Sequence, residues 1–154
     1  GNTVSNVNTA YISMKNIQVL TDYVGTLESR YGKAQGSVRV IIGELGYSAR
    51  SGQQEENTQA AALGYGYYIA MFNSRIDAYI VRAYVDDAAE IASGLYLGMF
   101  DRSYHQKKSY NVYKHLDTDE SLAYMNLYLS TVGISSWSDV IPGFNADALP
   151  AVDF

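Results

Sequence analysis

The chain has 154 residues, enough for one domain with a sizeable core, and 47% hydrophobic with 18% charged content excludes disordered, collagenous and low-complexity classes. A formal charge of −5 argues against a nucleic-acid binder, which needs a basic footprint, and no polybasic run addresses anionic lipid. No apolar run reaches the roughly 18 residues of a membrane-spanning helix, and zero Cys removes disulfides, thiolate chemistry and Cys-based zinc sites.

The chain opens Gly1-Asn2-Thr3 with no charged-then-apolar leader behind it, which reads as a processed or truncated product. Residues 1–16 are small and polar and read as an irregular lead-in. From there Ile17, Leu20, Val24, Leu27 and Tyr31 recur at helical spacing, between Asn16 as N-cap and Gly32 as stop. Val38-Arg39-Val40-Ile41-Ile42-Gly43 is β-branched through its middle and predicts a strand buried on both faces. A loop, Glu44 to Gly52, leads to a helix over Glu55–Phe72 with Ala61, Tyr65, Tyr68, Ile69 and Phe72 as its inner stripe. Gly64 and Gly66 weaken that helix by roughly 1 kcal/mol each and make sense where it lies close against a sheet.

Ile76 to Val85 predicts a second buried strand, Asp86 to Ser103 a glycine-bearing loop, and Lys107–Leu116 a short basic helix. A last helix begins near Asp117 or Thr118, presents Leu122, Met125, Leu129 and Val132, and stops at Gly133; residues 134–154 read as an irregular tail. Two apolar strands joined by a helical crossover make a parallel βαβ unit. Two strands fall short of the three or more that an independent sheet usually needs, so the whole of 1–154 reads as one partial domain. The alternative is a small self-standing α/β domain with a further strand around Thr9–Met14.

Reactive groups in βα architectures gather at the C-terminal ends of parallel strands. A carboxylate leaving a buried apolar strand there is costly unless paired, which singles out Glu44. Its counterpart loop carries Asp86, Asp87 and Glu90, an acidic set that ordinarily stays solvated. Arg82 is a candidate holder of a carboxylate or a sugar hydroxyl, or a structural partner for Asp86 or Glu44. Tyr occurs 15 times, and its flat face with a hydrogen-bonding tip suits sugar rings as well as cores. Tyr47 and Trp137 are the candidate stacking platforms, with core packing the ordinary role of Trp137. No phosphate-loop, calcium-loop or other metal-ligand spacing is present, so neither cofactor nor metal is expected.

The run Arg39-Val40-Ile41-Ile42-Gly43-Glu44-Leu45-Gly46-Tyr47 resembles the seventh strand of retaining TIM-barrel glycoside hydrolases, where a hydrophobic strand delivers a Glu followed shortly by Gly. Gln59-Ala60-Ala61-Ala62-Leu63 with Tyr67-Tyr68, then Ile76-Asp77-Ala78-Tyr79-Ile80-Val81-Arg82, are similar to the helix and strand that follow. Gly94-Leu95-Tyr96-Leu97-Gly98-Met99-Phe100 and Lys107-Lys108-Ser109-Tyr110 complete the ordered set, which is similar to an uncharacterised bacterial family distantly related to these hydrolases. The resemblance implies the C-terminal portion of a (β/α)8 barrel, about strands seven and eight with flanking helices, of a fold that takes about 250 residues in full. It further implies Glu44 as catalytic nucleophile, Tyr47, Arg82, Asp86 and Trp137 around the substrate, and an acid/base carboxylate missing from this chain. The implied partners are carbohydrate and either the missing N-terminal half of the domain or a second copy; the implied location is extracellular or cell-surface. A non-catalytic carbohydrate-binding or structural domain is the alternative, because Gly43-Glu44 departs from the Thr-Glu or Ser-Glu common in active relatives.

Overall fold

A buried carboxylate joins the apolar residues in seating the first helix. In the computed structural model, which describes residues 6–150, α1 spans Gln18–Arg30 and buries Val19, Thr21 and Glu28. Of the expected stripe Ile17 is buried, Leu20, Val24 and Leu27 are half-buried, and Tyr31 is exposed. Glu28 accepts the backbone N–H groups of Gly36 at 2.9 Å and Val38 at 2.6 Å, and Arg75 Nη2 at 2.8 Å. One buried side chain thus ties α1 and the turn after it to the approach of the second strand.

β1 (Val40–Leu45) and β2 (Ile76–Val81) pair in parallel, joined by α2 (Glu55–Met71). α2 is buried around most of its circumference, well beyond the expected stripe. The sheet lies on one side of it; α4 (Lys108–His115), α5 (Ser121–Asn126) and the tail lie on the other. Its glycines mark both approaches. A Cβ at Gly66 would stand 2.7 Å from the Tyr79 hydroxyl of β2, and one at Gly64 would collide with the Met125 thioether of α5.

Past β2 the chain breaks at Arg82, where a single long strand is expected, and resumes as β3 (Ala83–Val85). The stretch expected as loop contains α3 (Ala88–Ala92) and β4 (Gly98–Phe100), which pairs in parallel with β3. The expected last helix is two short ones, α5 and α6 (Leu129–Val132), ended by Gly133 at φ +82°. No strand forms at residues 9–14, where Met14–Asn16 begin a 3-10 turn. The outer ends of the expected lead-in and tail, 1–5 and 151–154, lie outside the described residues.

These findings overturn the barrel expectation. Among the described residues the strands form two separate two-stranded parallel sheets, β1-β2 and β3-β4, and neither closes on itself. A TIM barrel needs eight strands in one closed sheet; the architecture here is a small α/β one. The apolar core sits between α2, α4, α5 and the tail, with Tyr68, Met125, Val112 and Trp137 fully enclosed.

Candidate functional site at the strand exits

Glu44 owes its position to an irregularity in β1. Ile42 lies beside Tyr79 and Leu45 beside Val81, so Gly43 and Glu44 together face the one residue Ile80. Two residues opposite one is a β-bulge, a device that re-aims a side chain and is common beside active sites. Ile42 and Leu45 on either side are half-buried while the Glu44 side chain emerges, 69% exposed. Across from it Ile80, Arg82 and Tyr84 share the outward face of the β2–β3 run, by the period-two alternation of a strand.

Arg82 sits between two carboxylates. Its Nη1 lies 3.4 Å from Glu44 Oε1 and its Nη2 donates to Glu90 Oε1 at 2.7 Å. Glu90 is delivered by the first turn of α3, whose N-cap Asp87 accepts the N–H groups of Ala89 at 2.8 Å and Glu90 at 3.2 Å. Those backbone hydrogen bonds hold the Asp87 carboxyl below the usual range. The second Glu90 oxygen, Oε2, is buried with no hydrogen-bond partner among the described residues. The result is a guanidinium with one loosely held, solvent-facing carboxylate and one firmly held, sheltered one.

Asp86 belongs to another constellation. It is buried, accepts Gly98 N–H at 2.7 Å, and pairs with the Lys107 ammonium at 2.8 Å. Lys107 is itself fully buried and also donates to the Ala49 carbonyl at 2.7 Å and the Tyr96 carbonyl at 3.3 Å. Such a pair is retained where the geometry satisfies both ions, and its effect here is to fix the β1 exit loop against β4 and α4. Gln59 of α2 reinforces this join, donating to the Tyr47 carbonyl at 2.7 Å and the Gly98 carbonyl at 3.1 Å while accepting the Ser109 hydroxyl at 2.7 Å.

Tyr47 turns inward from the same loop. Burial pushes its phenol up to about 12, with the neighbouring Tyr79 hydroxyl acting against that rise. Trp137 is 1% exposed, edge-on to Tyr68 at 5.6 Å between ring centroids, with its indole N–H donated to Asn126. Of the sequence-derived site residues, the structure therefore brings together Glu44 and Arg82. It sets Tyr47 behind them, Asp86 beneath them in an ion pair, and Trp137 in the core. Two contributors escaped the sequence reading: Glu90 as the partner of Arg82, and Tyr84, an exposed ring packed on Phe100 at 4.8 Å. The alternation Ile80-Arg82-Tyr84 is the signal that places Tyr84 on this face.

Among the described residues no group of three or more His, Cys, Asp or Glu converges on a metal position, and no helix is long and apolar enough to cross a membrane. Comparison with known proteins identifies the chain by family: it belongs to DUF5722, a family of unknown function, whose model matches residues 2–140. No curated protein and no solved structure matches it.

Proposed function

We propose that the shared exit of β1 and β2 is a carbohydrate site of the glycoside-hydrolase kind, with Glu44 as its nucleophile. One observation carries the reading: the bulge presents the Glu44 carboxylate to solvent directly against the Arg82 guanidinium. A retaining mechanism needs an exposed carboxylate to attack the anomeric carbon, with a second carboxyl about 5–5.5 Å away serving as acid and then base. Arg82 offers charged N–H donors for sugar hydroxyls, and the exposed Tyr84 ring offers a face for their C–H side.

Among the described residues the acids of the facing loop are engaged, Glu90 with Arg82, Asp86 with Lys107 and Asp87 as the cap of α3, so none of the three stands ready as the second carboxyl. It comes from polypeptide beyond them or from a second copy, and the chain by itself binds sugar without turning it over. Those engaged carboxylates also favour the second reading, a carbohydrate-binding site with no chemistry. Extracellular or surface glycan is the ligand class of either.

Amide proton–nitrogen correlation spectra of the chain titrated with cello-, xylo- and manno-oligosaccharides test the site. At least one should shift the amides of residues 43–47 and 82–84, and Arg82→Ala should abolish the shifts. In a longer protein that hydrolyses glycosides, Glu44→Gln should lower kcat by several orders of magnitude. Shifts confined elsewhere, or shifts indifferent to Arg82→Ala, would remove the site; undiminished kcat in Glu44→Gln would leave only the non-catalytic reading.

A further inference from the structure

We infer that the protein carries a second, separate pocket for a single sugar ring, between β2 and α4. The cavity measures about 320 Å³, at the lower end of the range for small-molecule sites and suited to one ring rather than a chain of them. Tyr67, Tyr79 and Tyr113 line it, and Val81 and Leu116 complete its apolar wall. Tyr67 and Tyr79 meet edge-to-face at 6.4 Å, and burial holds both phenols protonated, well above the ordinary range. Their hydroxyls are already spent: Tyr79 donates to the Leu63 carbonyl and Tyr67 to Asp117. What these two rings offer an occupant is therefore apolar surface. Tyr113, 47% exposed at the rim, has a face free to stack on the C–H side of a sugar.

The polar groups of the rim define the rest. Lys114 has no ion-pair or hydrogen-bond partner among the described residues, and Asp117 spends one oxygen on Tyr67, leaving the other. Asp117 accepts and Lys114 donates, so the lining carries one anionic and one cationic group. Such a rim selects neither an anion nor a cation, and brackets adjacent hydroxyls of a neutral ring. Glu44 is not among the residues lining this pocket, whose occupancy is independent of the strand-exit site.

The test uses the intact chain with glucose, galactose, xylose and N-acetylglucosamine, and tetramethylammonium chloride as a cationic control, followed by amide correlation spectra. At least one sugar should shift the amides of residues 113–118. Tyr113→Ala should weaken that binding about tenfold, as loss of a stacked ring does, and Arg82→Ala should leave it unchanged. Lys114→Ala, which alters only an exposed side chain, should weaken it several-fold and serves if Tyr113→Ala folds poorly. The inference fails if no sugar shifts these amides, or if tetramethylammonium does so and the sugars do not. It also fails if every sugar-induced shift falls at 43–47 and 82–84 and vanishes in Arg82→Ala, an outcome that would uphold the strand-exit site.

Discussion

Glu28 shows how much one side chain can be asked to hold. Arg75 and the amides of Val38 and Gly36 lower its carboxyl from 4.5 to about 2, against the opposing effect of burial. A carboxyl depressed in the folded state contributes stability that is complete above its unfolded pKa and fades as pH falls toward its folded one. The stability gap between the protein and Glu28→Gln should therefore be constant above about pH 5 and shrink between there and pH 2, as followed by urea unfolding across that range. A gap independent of pH would mean that the clasp works through shape alone. Residue roles of this kind were the least legible in the sequence. Asp86 looks like a cleft acid until Lys107, 21 positions later, is seen to reach it. The Glu44–Arg82 contact spans 38 positions and was open to inference only because both residues lie at strand ends.

At the scale of elements, local pattern and structure agree where an element is long. α1, α2 and α4 lie within a residue or two of the predicted spans, because helical periodicity over two or more turns is a strong signal. α3 has 5 residues and β4 has 3, too few to show any period, and both vanish into a predicted loop. The glycines of α2 were readable as close-approach positions, and Gly64 offers a quantitative check. Alanine there gains roughly 1 kcal/mol of helix propensity but drives a methyl into Met125, which is fully buried. Overpacking of that kind costs about 1–3 kcal/mol, so Gly64→Ala should lower the unfolding midpoint in denaturant rather than raise it.

For the whole molecule, the two strand segments were visible in the sequence but the sheet they build was not. Strand number and pairing depend on contacts between distant residues, and a hydrophobic strand ending in Glu looks the same locally in a barrel and in a two-stranded ribbon. The ribbon leaves an uncovered face. Ile41 lies beside Ala78, so it shares a side with Ile80, and the two are 63% and 49% exposed. Contiguous exposed aliphatics promote association. The double variant Ile41→Lys/Ile80→Lys should sediment as a monomer at concentrations where the parent chain self-associates. Each substitution should change stability by no more than about 0.5 kcal/mol, as exposed positions do. A parent chain that is monomeric throughout would show that this face is tolerated bare.

Trp137 is the only indole in the chain, and it lies sealed among Tyr65, Tyr68 and the tail. Its ultraviolet emission is consequently an optical gauge of the helical interior that is blind to the strand ends. Loss of that interior should shift the emission to the red as water reaches the ring, while a ligand settling at Glu44 should leave the colour unaltered. Folding and ligation in this protein thus come with separate readouts, and no label has to be attached to tell them apart.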